Sequence, residues 1–201
     1  MKNYIQFWIA ALVRGLAAIL VGCAILLVPD LSTTLLLLPF AIAISIVCLA
    51  SYGVIDSAIV FFASFMAASK VAKLSLRLQG IAGAAMGMLF LTIVFDHVRL
   101  RWFLYLIATQ ALCTAASEFV VARHMSTKHG SRWNYAAATV AFLCGIAYAF
   151  AAIVPGDSLL PIDITRLIYG YLLAFGLAQC LTASRMLYED AHVRGQQHVP
   201  A

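Results

Sequence analysis

Ile5–Val28 reads IQFWIAALVRGLAAILVGCAILLV, a continuous apolar run broken by a single charge at Arg14. About 20 mostly apolar residues cross the hydrocarbon of a bilayer as a helix. A lipid-facing strand would instead alternate apolar and polar side chains at period two, and this run does not. Working outward, five more stretches read the same way, at roughly 36–64, 78–95, 102–123, 135–154 and 167–187. Pro39 suits the first turn of the second, where a missing N–H does no harm. The third is the shortest.

At about 20 residues each, six spans occupy most of the 201-residue chain and leave only short connections. The composition agrees: 64% of residues are apolar and 10% charged, whereas a soluble domain is nearer half apolar and a quarter charged. A soluble enzyme domain and a disordered chain are therefore excluded. The formal charge of +5 does not make a nucleic-acid protein, because too little polar surface remains for a basic groove. The partners to expect are membrane lipids and not nucleic acid. The sequence predicts one transmembrane domain over residues 1–187 and a polar cytoplasmic tail over 188–201.

Lys and Arg orient the spans. One set of connections carries Lys2, Lys70, Lys73, Arg77, Arg123, Lys128, Arg132, Arg185 and Arg194; the other carries Arg99, Arg101 and Arg166. Short basic loops stay in the cytosol, so both termini are expected there, with the chain multi-pass in a plasma membrane. Trp8, Trp133 and Tyr188 fall at the inner edges, and Trp102 and Tyr169 at the outer ones, as interfacial aromatics do. Leu20-Val21-Gly22-Cys23 has the look of a lipoprotein cleavage box. Arg14 interrupts the apolar core before it and Ala24–Val28 continue the run past the cysteine, so the segment reads as an uncleaved span.

The chain also repeats itself. Gly15, Ala18 and Gly22 in the first span match Gly80, Gly83 and Gly87 in the third and Ala138, Ala141 and Gly145 in the fifth, with the same offsets each time. In the even spans Gly53, Ala115 and Gly176 align, each followed three residues later by a polar group: Asp56, Glu118 and Gln179. Turns are marked by Pro29-Asp30 and Pro155-Gly156-Asp157. The expected fold is an all-α bundle of six transmembrane helices, built as three parallel two-helix hairpin repeats over about 5–66, 70–124 and 133–187. Small residues at such offsets share one helix face and let a neighbouring backbone approach, which is how helices associate in lipid. These faces are expected inside the bundle, the alternative being an oligomer contact. Gly170, Ala174 and Ala178 predict a further seam.

Three ionisable side chains lie within the predicted spans: Arg14, Asp56 and Glu118. A lone charge near the midplane costs a few kcal/mol or more, so none is expected to face lipid. At 1.5 Å per residue, Arg14 and Asp56 lie at matching depths, about 13 and about 12 Å from the inner end, with Gln179 at a similar level; Glu118 is shallower. Arg14 and Asp56 are expected to form a buried ion pair between neighbouring helices, with Gln179 placed to hydrogen-bond to it. Glu118 has no obvious partner in the sequence. It reads as the better titrating group, or as a side chain that snorkels to the headgroups.

Arg14-Gly15 with Gly22, then Pro29-Asp30, then Gly53 and Asp56, resemble the repeat of the HdeD-like acid-resistance membrane proteins. The resemblance runs from about Phe7 to about Leu187. The second repeat departs from it with Gln79-Gly80, the third with Ala137-Ala138. It implies a small bacterial inner-membrane protein associated with acid or general envelope stress, and it supplies no catalytic residue.

Cys23, Cys48, Cys113, Cys144 and Cys180 all fall within spans without CxxC spacing and read as buried packing residues rather than disulfides or a metal site. His124 and His129 belong to a basic loop suited to anionic headgroups. His97 sits at an outer turn, and His192 and His198 in the tail. No histidine reaches membrane depth to ligate haem, and no HExxH or Ser-His-Asp grouping is suggested. No cofactor, metal or enzymatic activity is expected. Three functions remain: a non-enzymatic stress protein, as a solitary bundle or a homo-oligomer; an accessory subunit of a larger membrane complex, stabilising neighbouring helices or lipids; and a small transporter or proton pathway using Asp56 or Glu118.

Overall fold

The computed structural model describes residues 2–31, 38–67, 69–96, 100–124, 131–153 and 161–197. They form six helices: α1 (Lys2–Leu31), α2 (Leu38–Ser64), α3 (Lys70–Asp96), α4 (Leu100–His124), α5 (Ser131–Ile153) and α6 (Pro161–Gln197). All six are long and apolar enough to cross a membrane, and no strand occurs among the described residues. In lipid, a helix satisfies its backbone N–H and C=O groups within its own segment. His97, Arg99, Lys128, His129, Pro155, Gly156, Asp157 and His198 lie outside the described residues.

The helices overrun the apolar segments that announce them. α1 continues through Pro29-Asp30, read above as a turn, to Leu31. α3 is not the shortest span: it begins at Lys70 and carries Lys73 and Arg77 on its first two turns. The reason is local. Ser69 caps it, its Oγ accepting from the Ala72 N–H at 3.0 Å, the usual service of a serine at a helix start. Long basic side chains then lay their stems along apolar surface and keep their charges in water. α6 runs on through Gln197.

The tightest helix pairs are α1 with α6, α2 with α3 and α4 with α5; α1–α2, α3–α4 and α5–α6 touch more sparsely. Together these contacts close a six-helix ring in which α1 faces α4 across the interior. The small-residue faces make the tight pairs. Gly15 lies against Gly176 and Cys180 of α6, and Gly22 against Leu172 and Leu173. Gly80 and Gly83 meet Phe61 and Ser57 of α2, Gly87 meets Ala50 and Val54, and Gly145 meets Leu112 of α4. Rising numbers on one helix meet falling numbers on its partner, so the pairs are antiparallel. Ala18, Ala138 and Ala141 are buried in the same faces.

Within the chain the seam expected on α6 is covered only at Ala178. Nothing lies within 4 Å of a Cβ built at Gly170, and Ala174 is exposed. The face of α6 that meets α1 runs through Leu172, Gly176 and Cys180. Periodicity shows that small residues share a face but not which face is covered. The cysteines are free, and Cys23 is exposed while the other four are half-buried, so they are less enclosed than their apolar setting suggests. The outer surface is apolar, with Leu20, Phe150 and Ile153 each about two-thirds exposed, as in a multi-pass membrane protein whose outside contacts lipid.

Candidate functional site: an intramembrane charge centre

A ring of helices has an interior, and the charged residues of the spans fill it. Arg14 projects from α1 and is 5% exposed. Its Nε donates to Asp56 Oδ1 of α2 at 2.6 Å, and Nη2 to Asp56 Oδ2 at 3.3 Å. Its Nη1 donates to Glu118 Oε1 of α4. The guanidinium also lies over the Phe175 ring of α6, 5.4 Å from its centroid. One cation therefore joins four helices.

Asp56 pairs with Arg14 between neighbouring helices, at the matching depth that the residue counts place them. Glu118 differs from its reading. It neither lacks a partner nor snorkels, because it is 3% exposed and bonded to Arg14. A hairpin view pairs each helix with its chain neighbours. Closing the ring sets α4 opposite α1, within reach of a long guanidinium side chain.

Gln179, at the matching position of α6, is also buried, yet its Nε2 has no hydrogen-bond partner among the described residues. The bond from this amide to the ion pair is therefore absent. It lies one turn from Phe175 on the same face, and one turn further on Thr182 Oγ1 is 3.1 Å from Asn134 Oδ1 of α5. The Gln179 side chain thus belongs to the interior face of α6.

A second polar group adjoins the centre. Gln79 Nε2 of α3 donates to Thr114 Oγ1 at 3.4 Å, and Ser117 Oγ of α4 donates to Gln79 Oε1 at 2.5 Å. These residues carry no charge, and the sequence marked Gln79 only as a departure from the resembled repeat. The available signal was the repeat register: Gln79 precedes Gly80 as Arg14 precedes Gly15.

Two small cavities flank Asp56. One, about 30 Å³, is lined by Tyr52, Asp56, Gln110, Thr114, Tyr148 and Tyr171 among others. The other, about 10 Å³, lies between Asp56, Ser57, Gln79, Gly83, Gln110 and Thr114. The first extends from the centre toward Leu49 and Ile168, away from the end where α1 begins and α6 finishes. At that other end, Val60, Ala72, Leu76 and Val121 pack together with Phe7 and Ala67 against them, and Ser64, Ser131, Asn134 and Thr182 are buried there too. Among the described residues no three His, Cys, Asp or Glu side chains are grouped to hold a metal ion.

The chemistry within reach is proton and charge chemistry. Asp56 takes two guanidinium N–H groups and Glu118 one, so the two carboxylates are not equivalent. Hydrogen bonds to charged groups contribute about 1.5–3 kcal/mol each. Asp56→Asn is therefore expected to lower stability more than Glu118→Gln, each leaving one cation and one carboxylate. Thermal unfolding of the purified variants in mild detergent checks the order; equal losses would mean that the two-pronged contact does not stabilise the fold.

No family model, curated protein or solved structure matches this chain.

Proposed function

We propose that this chain is a non-enzymatic, multi-pass protein of the bacterial inner membrane, of the HdeD-like kind, that protects the cell under acid or envelope stress. The observation that carries the reading is how little free space surrounds the ion cluster among the described residues. A small-molecule site takes about 300–1,000 Å³, whereas the cavities beside Asp56 measure about 30 and 10 Å³. They have room for a water or two and not for an organic substrate. The centre of the ring is given over to an ion cluster. The excess of Lys and Arg on the connections at the end bearing the termini puts that end in the cytoplasm. The glycine and small-residue offsets support three parallel hairpins as the plan of the ring.

A second reading, a proton pathway through Asp56, is favoured by one observation: Asp56, Gln110 and Thr114 line both cavities.

Deleting the gene and challenging the cells with acid, and separately with a membrane-active peptide, tests the first reading. Lower survival that the plasmid-borne gene restores is the expected result. Unchanged survival under both stresses would remove it. Proton flux into vesicles containing the purified chain, above that of empty vesicles, would favour the second.

A further inference from the structure

We propose that the interior centre is a binding site for one proton, taken up on Glu118 beside the Arg14–Asp56 pair when the membrane's surroundings are acidified. The inference goes beyond a protective role and rests on the membrane reading alone.

The argument begins with charge balance. Among the described residues the centre holds one guanidinium and two carboxylates, all more than nine-tenths buried. One positive charge is missing. A buried ion in low dielectric needs a counter-charge, and the smallest available is a proton.

Geometry selects the atom. Both oxygens of Asp56 face the guanidinium, whereas Glu118 meets it through Oε1. Its Oε2 is the oxygen left for a proton. The step is a simple addition: a hydronium ion gives its proton to the carboxylate, water leaves, and the centre becomes neutral with the Arg14–Asp56 pair intact. A metal cation fits less well. It would need several oxygen ligands, and Asp56 has committed both of its own.

The surroundings of Glu118 are defined on every side. α1 presents Arg14, α2 presents Asp56 and Tyr52, and α6 presents Tyr171, with both tyrosines in electrostatic range of the two carboxylates. α3 presents the uncharged Gln79. On α5, Tyr148 donates its hydroxyl to the Leu167 carbonyl at 3.1 Å, and Cys144 lies near it. None of these supplies the missing charge.

A second, independent observation is Gln179. This amide is 2% exposed, has an unpartnered Nε2 and lies on the interior face of α6. A buried donor without a partner calls for an acceptor, and water is the one small enough. The cavity of about 30 Å³ reaches Asp56, so water held there adjoins the ion cluster at that carboxylate.

Infrared difference spectroscopy of the reconstituted full chain, acid minus neutral, tests this. The expected result is a carbonyl-stretch band of one protonated carboxyl. The chain contains two glutamates, Glu118 and Glu189. Carboxyl-labelling of glutamate with carbon-13 in the unaltered protein should therefore shift the band, without any substitution at the site. Glu189→Gln should leave it in place and Glu118→Gln should remove it. A band that ignores the label, or that disappears with Glu189→Gln, overturns the assignment to Glu118. A band abolished by sodium chloride at constant acid pH makes the centre a cation site and overturns the proposal. A chain that shows the band yet gives no protection to cells separates this proposal from the stress reading.

Discussion

Arg14→Met is expected to yield almost no folded protein, the largest effect of any single substitution in the chain. The variant keeps a long, flexible apolar stem in the ring but removes the one cation between Asp56 and Glu118. Both carboxylates are more than nine-tenths buried and would be left facing each other. Breaking a buried ion pair by deleting one partner costs about 3–5 kcal/mol, a large part of the 5–15 kcal/mol that holds a typical domain together. The loss of the Phe175 contact at 5.4 Å adds to it. The same physics predicts a rescue. The triple variant Arg14→Met, Asp56→Leu, Glu118→Met removes every charge at once, and buried ion clusters replaced by hydrophobic residues of similar volume are often as stable as the original. Yield of monodisperse protein and the unfolding midpoint in detergent check both halves. If Arg14→Met unfolds at the temperature of the unaltered protein, the centre contributes nothing to the fold.

Gly176→Leu is expected to open the ring where its first and last helices meet. A Cβ at Gly176 falls 2.7 Å from the Gly15 carbonyl oxygen and 3.1 Å from the Ile19 nitrogen. These are backbone atoms, which cannot swing aside as a side chain does. The contact is reciprocal, since a Cβ at Gly15 falls 2.8 Å from the Gly176 oxygen. Overpacking by a methylene or two costs about 1–3 kcal/mol, and a leucine in this crossing must push α1 and α6 apart along their length. Lipid offers the separated helices no hydrophobic penalty to bring them back, because close packing is what holds them. Gly170→Leu on the same helix meets open space and serves as the matched control, with no loss expected. Thermal unfolding of the two variants side by side gives the comparison; equal stability would show that the α1–α6 crossing tolerates a side chain.

Glu118 shows where reading along the chain stops. Its cost in a membrane segment is plain from residue type and position, which is why it stands out beside Arg14 and Asp56. Its partner is not, because that partner is 104 residues away on a helix whose backbone packs against neither α4 nor its hairpin mate. Tyr52, and the partners of Gln79, are overlooked for a related reason: uncharged polar residues are common enough in apolar segments that only their neighbours make them part of a centre. Gly170 and Gly176 are the reverse case, since both sit in small-residue patterns and only one meets a backbone.

What the amino-acid order decided by itself is the set of six apolar helices and the need to hide three charges. Hydrophobic length and the cost of an ion in oil are local quantities, fixed residue by residue. What the tertiary structure alone decided is which helices touch. Closure of the ring brings α1 to α6 through Gly15 and Gly176 and sets α1 opposite α4, so that Arg14 reaches two carboxylates instead of one. Lipid gives each helix nearly the same environment on every side, so the choice of neighbour comes from backbone fit and hydrogen bonds between distant segments, and these exist only once the chain has folded.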